Sequence, residues 1–308
     1  MSLIDIDRGA AGTFPGEPFR IRHHLAGHPL LSLDALAKLA TRLDRDRLEY
    51  NSGKLQPNQK PDEVPGIDLA PADVIRQIET AGAWMVLKNV ETVPEYAGLI
   101  RLALADAARA LGKAGPDALG MGDFEGFIFV SSANSVTPFH LDYEENFFVH
   151  VHGEKFMHIF DNRDRSLVPE ADLETFPGKH RNHAYREDFE RKGEVYRFIP
   201  GEGVFLPYTW PHWVRTGPEW TISMAVTWKS RGDIRMNRLY LANAVLRKAG
   251  LPQPAPGRHP VFDGAKVAAF STAQALISPL RRREGMRRRL RALFFGRKAN
   301  YYYGPGKA

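Results

Sequence analysis

The segment Thr137-Pro138-Phe139-His140-Leu141-Asp142 places an imidazole and a carboxylate two residues apart. Side chains alternate along a β-strand, so His140 and Asp142 are expected on one face, where they can converge on a cation. Two ligands make half a metal site. The candidate for a third is His212, in the later stretch PGEGVFLPYTWPHW at 200–213. The chain has no cysteine, so a metal must sit on His, Asp or Glu. Two imidazoles and a carboxylate on one face of an octahedral ion leave three positions open. That arrangement suits non-haem Fe(II), because a bidentate co-substrate and O₂ can take the free positions.

A His-x-Asp pair alone reads most simply as a surface pair, and the flanking spacing is what adds weight. Gly201, Pro207 and His212 fit the cupin pattern G-x5-P-x-G-x2-H, with Thr209 in place of the second Gly. His140, Asp142, Asn146 and Gly153 follow the companion pattern HxH-x3-E-x6-G. Asp142 stands for the second His, and Asn146 for a Glu that would be a fourth ligand. An amide is a poor ligand there; it leaves the three-ligand site open and can hydrogen-bond a bound co-substrate.

TP-x-H-x-D at 137–142, then Asn146-Phe147-Phe148, then Gly153-x-Lys155 make one string in register. It resembles the cupin-like JmjC-domain Fe(II)/2-oxoglutarate oxygenases, most closely the factor-inhibiting-HIF type of asparaginyl hydroxylase, over about residues 120–230. The resemblance implies a double-stranded β-helix (a cupin or jelly-roll barrel) with Fe(II) on His140, Asp142 and His212. It implies 2-oxoglutarate and O₂ as co-substrates, with Lys155 and Thr137 on the distal carboxylate and Asn146 and Phe148 at co-substrate-contacting positions. The implied activity is a dioxygenase hydroxylating a protein side chain or a small molecule. Two departures stand out. The strand after His212 reads TISMAVTWKS, with Val226 or Thr227 where that hydroxylase has an Asn, and the charged insert 161–193 has no counterpart.

Lys155 is supported by physics as well. A dicarboxylate held by a metal at one end carries its second carboxylate deep into a barrel, where it needs a cationic partner. Two readings from other classes stay open: a metal-binding cupin without oxygenase activity, and a non-catalytic JmjC-like regulator. His150 and His152 share the strand parity of His140, and His158 lies on the next strand; all three read as core or surface histidines. Trp210, Trp213, Trp220 and Trp228 could wall a site or simply pack.

These residues need a β scaffold, and the chain offers one. Segments 124–131, 146–152, 155–160, 194–199, 203–207 and 221–229 are short, rich in Phe, Val, Ile, Tyr and Trp, and mostly bounded by turn residues. Upstream, Leu33, Leu36, Leu39 and Leu43 recur at helical spacing after Ser32, and Pro71 and Pro94 suit first turns of helices at 71–81 and 94–111. Trp84 to Val90 reads as a strand, and 51–69 as a loop. The expected organisation is a mostly β core with flanking helices. A helical region at 1–120 packs on a barrel at 121–230, and a helical region with a basic tail follows at 231–308.

The formal charge of +6 is uneven. Arg281 to Lys298 holds nine basic residues and one acid, leaving a net −2 elsewhere, so no general polyanion surface is expected on the body. Within the tail, Met286, Leu290, Leu293 and Phe294 share a helical face among arginines, which suits docking on the body or a homodimer through the C-terminal helices; binding to nucleic acid or an anionic membrane is the alternative. No nucleic-acid-binding signature is present. The first residues, MSLIDIDRGA, lack an apolar signal region, and no apolar run approaches the ~20 residues of a membrane span. A cytoplasmic protein without a membrane span is expected.

Overall fold

Alternating apolar residues become strands in the computed structural model, which describes residues 2–60, 63–175, 183–281 and Arg289. The strands are β1 (Ile4–Asp5), β2 (Phe19–His23), β3 (Leu48–Ser52), β4 (Ala83–Lys88), β5 (Phe124–Ser131), β6 (Val136–His140), β7 (Glu145–His152), β8 (Lys155–Phe160), β9 (Gly193–Phe198), β10 (Glu202–Leu206), β11 (His212–Thr216) and β12 (Thr221–Trp228). The helices are α1 (Arg8–Ala11), α2 (Leu33–Arg42), α3 (Pro71–Arg76), α4 (Pro94–Ala110), α5 (Glu170–Thr175), α6 (Arg231–Lys248) and α7 (Pro260–Arg281).

Two antiparallel sheets form, one in the order β1-β2-β10-β7-β12-β5-β4-β3 and one in the order β6-β11-β8-β9. From β5 to β12 the chain crosses repeatedly between the sheets, which is the jelly-roll order expected from the cupin spacing. Alternation sorts the side chains into two cores. Phe148, Val204, Leu206 and Ala225 of the large sheet meet Met157, Ile159, Phe198 and Val214 of the small one. The opposite face of the large sheet, with Phe147, Val149, Met224 and Val226, packs with Leu36, Leu39, Ile100 and Leu104 of α2 and α4.

The N-terminal segments contribute β1 to β4 to the large sheet, three strands more than the one expected near Trp84. β1 is two residues long, too short for alternation to declare itself, whereas Phe19–His23 of β2 does alternate buried and exposed residues. Ser32 caps α2 by accepting from the Ala35 amide at 3.3 Å, as its position suggested. α3 stops at Arg76, short of the expected 81, and gives way to turns that lead through Gly82 at φ 59° into β4.

The described residues divide into two compact units. The first runs to Asp161 and resumes from His183 to Ser230. The second takes Asn162 to Thr175 together with the chain from Arg231 onward. Within the second, the fully buried Glu174 of α5 accepts from Asn243 Nδ2 at 3.1 Å and from the Arg247 guanidinium. Asn243 Oδ1 in turn takes Lys266 Nζ of α7 at 2.7 Å. Insert 161–193 is thus shared between the units, and its residues 176–182 lie outside the described residues, as does the amphipathic stretch 286–298 apart from Arg289. Among the described residues no helix is long and apolar enough to cross a membrane.

Candidate metal centre

His140, Asp142 and His212 come together, each offering one ligand atom within 4.8 Å of the others. Asp142 Oδ2 lies 3.9 Å from His140 Nε2 and 3.9 Å from His212 Nε2. The other ring nitrogens are occupied. His140 Nδ1 donates to the Pro138 carbonyl at 2.7 Å, and His212 Nδ1 to the Trp210 carbonyl at 2.9 Å. Each bond fixes the tautomer that leaves an Nε2 lone pair pointing at the cluster, the arrangement that orients metal-binding histidines.

Both histidines reach the interior because of an irregularity in the ladder. His140 pairs with His212, but Thr137 pairs with Val214, so Pro138 and Phe139 together oppose the single residue Trp213. The bulge shifts parity between Thr137 and His140. Residues three apart on one strand therefore face the same side, opposite the inward-facing His212 and Val214. Asp142 departs from the strand argument, since it follows the end of β6 in the connection to β7. Its carbonyl accepts from the Thr209 amide at 2.7 Å, which ties this connection to the loop preceding His212. Thr209 sits at φ 61°. It replaces the second Gly of the cupin spacing yet keeps the left-handed backbone that a Gly adopts freely. Gly153 has no such latitude. At φ 78°, an added Cβ would lie 2.4 Å from the Trp220 carbonyl oxygen.

Lys155 opens β8 just after that turn and shares the inward parity of Met157 and Ile159. It is 4% exposed, and among the described residues no carboxylate forms an ion pair with it. Its Nζ stands 5.5 Å from the centre of the Phe148 ring. Burial alone pushes the ammonium down to about 7. Thr137 faces the same interior through its pairing with Val214. Asn146 is buried on the same face of β7 as Phe148, and its Oδ1 has no hydrogen-bond partner. Its cross-strand neighbour Thr227, the residue near the missing Asn position, likewise has an unpartnered Oγ1.

Among the described residues His150, His152 and His158 do not join the cluster. His150 is fully buried; its Nε2 donates to the Gly153 carbonyl at 2.9 Å and its Nδ1 accepts from Ser223 Oγ at 3.0 Å. Burial, helped by the Lys155 charge, lowers it to about 3, so it stays neutral beside the lysine. His152 stacks on Trp220 and His158 on Trp213, both with ring centres 3.7 Å apart. Of the four tryptophans, Trp210 lines the interior core while Trp228 packs on the opposite face of the large sheet. One carboxylate went unmarked in the sequence. Glu190 accepts from His158 Nδ1 at 2.9 Å, from Trp213 Nε1 at 2.8 Å and from the Tyr185 hydroxyl.

No family model matches the chain, and no curated protein matches it. Among solved structures, Escherichia coli ribosomal oxygenase YcfD is similar at a TM-score of 0.48 and 14% identity, over 90% of this chain and 68% of that one. YcfD in complex with cobalt and 2-oxoglutarate gives 0.44 at 14% identity, over 91% and 67%. The lyase DddQ from Ruegeria pomeroyi DSS-3 gives 0.24 at 17% identity, over 35% and 39%.

Proposed function

We propose that this chain is an Fe(II)- and 2-oxoglutarate-dependent oxygenase. One observation carries the reading. A cluster of two imidazoles and a carboxylate shares its interior with a buried ammonium that has no carboxylate partner among the described residues. A buried lone cation is costly unless an anion meets it. Ile159 pairs with His212, and Lys155 lies four residues further along the same strand. At ~3.3 Å per residue that separates the two backbone positions by ~13 Å. The lysine stem and a five-carbon dicarboxylate can share such a span.

In this reading His140, Asp142 and His212 hold the metal, and their braced tautomers present lone pairs without reorganisation. Lys155 and Thr137 receive the far carboxylate, Phe148 walls it, and the Asn146 amide hydrogen-bonds the co-substrate. When bound, iron supplies the chemistry that couples decarboxylation of 2-oxoglutarate by O₂ to hydroxylation of a C–H bond. A metal-binding cupin with a different activity would have no use for the buried lysine, and a non-catalytic regulator no use for the intact cluster.

The substrate belongs to the proposal as a polypeptide side chain. That choice is supported by the motif resemblance to protein hydroxylases and by the mixed charge of insert 161–193. A homodimer through the C-terminal helices and a cytoplasmic setting complete it. The dimer is supported by Val261, Phe262 and Leu276, which are 90%, 52% and 76% exposed. The test is succinate release from 2-oxoglutarate by the purified chain with Fe(II), absent in Asp142→Ala. Stimulation by the macromolecular fraction of a lysate, with one oxygen added to a peptide, supports the side-chain substrate. Stimulation by the small-molecule fraction alone overturns that choice and leaves the iron reading standing. No succinate under any condition overturns the whole.

A further inference from the structure

The bulge that turns both histidines inward is gripped from outside by residues 183–192. This segment follows the insert and precedes β9. The carbonyl of the bulge residue Phe139 accepts from the His183 amide at 2.9 Å. The Phe139 ring then meets Tyr185 at 5.5 Å and Phe189 at 6.0 Å between ring centres. Across the ladder, Trp213 is the single residue that opposes the bulge. Its indole is fixed twice, by stacking on His158 at 3.7 Å and by donating Nε1–H to Glu190 at 2.8 Å. Glu190 also takes His158 Nδ1 and the Tyr185 hydroxyl. One carboxylate therefore joins both sides of the bulge. It reaches Trp213, which follows His212 directly, and through Tyr185 it reaches Phe139, which directly precedes His140.

A bulge breaks regular ladder pairing and persists when surrounding contacts over-determine it. Hydrogen bonds to a carboxylate are the stronger kind, and three of them converge here. Resting on the metal reading above, we infer that Glu190 is a positioning residue for the metal centre. It acts through Trp213 and Tyr185 to hold the bulge that aims His140 and His212. It touches neither the metal ligands nor the co-substrate anchor, and the return segment 183–192 is a clasp on the metal-bearing strands.

The test uses the full chain loaded with Co(II), which reports its own coordination by visible absorption. Glu190→Ala is expected to weaken Co(II) binding by about tenfold to a hundredfold, the range for partners that orient ligands, and to shift its visible bands. Glu190→Gln keeps one acceptor oxygen while losing the charge, so it should fall between Ala and wild type; it also serves if the Ala variant does not fold. Glu154→Gln, which removes an acidic partner of Arg197 far from the bulge, is the comparison for general stability. Glu190 variants that lose thermal stability but bind Co(II) with wild-type affinity and spectrum overturn the inference and leave Glu190 a packing residue. Failure of the wild-type chain itself to bind Co(II) is a different result: it breaks the metal reading, and the inference with it.

Discussion

The two ends of the inter-sheet interior are built on opposite principles. At one end, His140 and His212 are each braced by a backbone carbonyl two residues away. At the other, Lys155 is a buried cation without a carboxylate partner among the described residues. The first end is finished by geometry, because its lone pairs are aimed before anything binds. The second is finished by charge, because its ammonium becomes affordable only beside an anion. A site of this kind selects a ligand that satisfies both ends at once, a chelator at one terminus and an anion at the other.

Removing a ligand tests the geometric end and should give the largest effect. His212→Ala is expected to abolish stoichiometric Fe(II) binding under anaerobic conditions while circular dichroism stays native. Retained one-to-one binding in metal analysis would reassign the third ligand.

Lys155→Met tests the electrostatic end. A charge-assisted hydrogen bond contributes about 1.5–3 kcal/mol, so 2-oxoglutarate affinity should fall about tenfold to a hundredfold by calorimetry. The lysine also carries a pH signature. Its folded value of about 7 lies below the ordinary 10.5, so between those values the unfolded chain binds the extra proton. Stability of the protein without co-substrate therefore rises with pH across that window and is penalised below about pH 7. The Met variant should melt higher than wild type at pH 6.5 and lose that advantage by pH 10. Conversely, wild-type affinity for 2-oxoglutarate should fall as pH rises above 7, approaching ~tenfold per unit, while the variant's stays flat. A flat wild-type profile places the carboxylate elsewhere.

Thr137→Val removes a neutral hydroxyl, worth about 0.5–1.5 kcal/mol, so a loss of co-substrate affinity of up to roughly tenfold is expected with iron binding unchanged. An unchanged dissociation constant would mean the hydroxyl serves only the strand. The smallest effect belongs to the loop before His212. Thr209→Gly relieves a left-handed β-branched residue that costs about 1–3 kcal/mol but returns about 0.5–1 kcal/mol of chain entropy. The net is a gain near ~1 kcal/mol in denaturant unfolding at unaltered metal affinity. A loss instead would show that the threonine side chain holds the loop.

Much of this was legible beforehand, for physical reasons that differ by residue. Strands β5, β7 to β10 and β12 announce themselves as short runs rich in β-branched and aromatic residues between turns, and His140, Asp142 and His212 by the cupin spacing, whereas β6 and β11 do not stand out. The bulge does not announce itself. Thr137 and His140 are three apart, and strict period-two reasoning puts them on opposite faces. Only the pairing with His212 and Val214 shows both turned inward. A strand argument puts Asp142 beside His140, but a loop hydrogen-bonded to Thr209 is what delivers it to the cluster. Glu190 was invisible because two of its three partners, His158 and Trp213, lie 32 and 23 residues away and no local pattern links them.

Glu174 sets a condition on the order in which this chain acquires its structure. Its partners Asn243 and Arg247 lie 69 and 73 residues downstream, beyond every strand from β9 to β12. A growing polypeptide at ~5–20 residues per second keeps that carboxylate waiting in water for several seconds. The loop to be closed is long, yet its entropy grows only logarithmically with length, so the delay costs time more than stability. The second unit is therefore completed only after every strand from β9 to β12 has been synthesised.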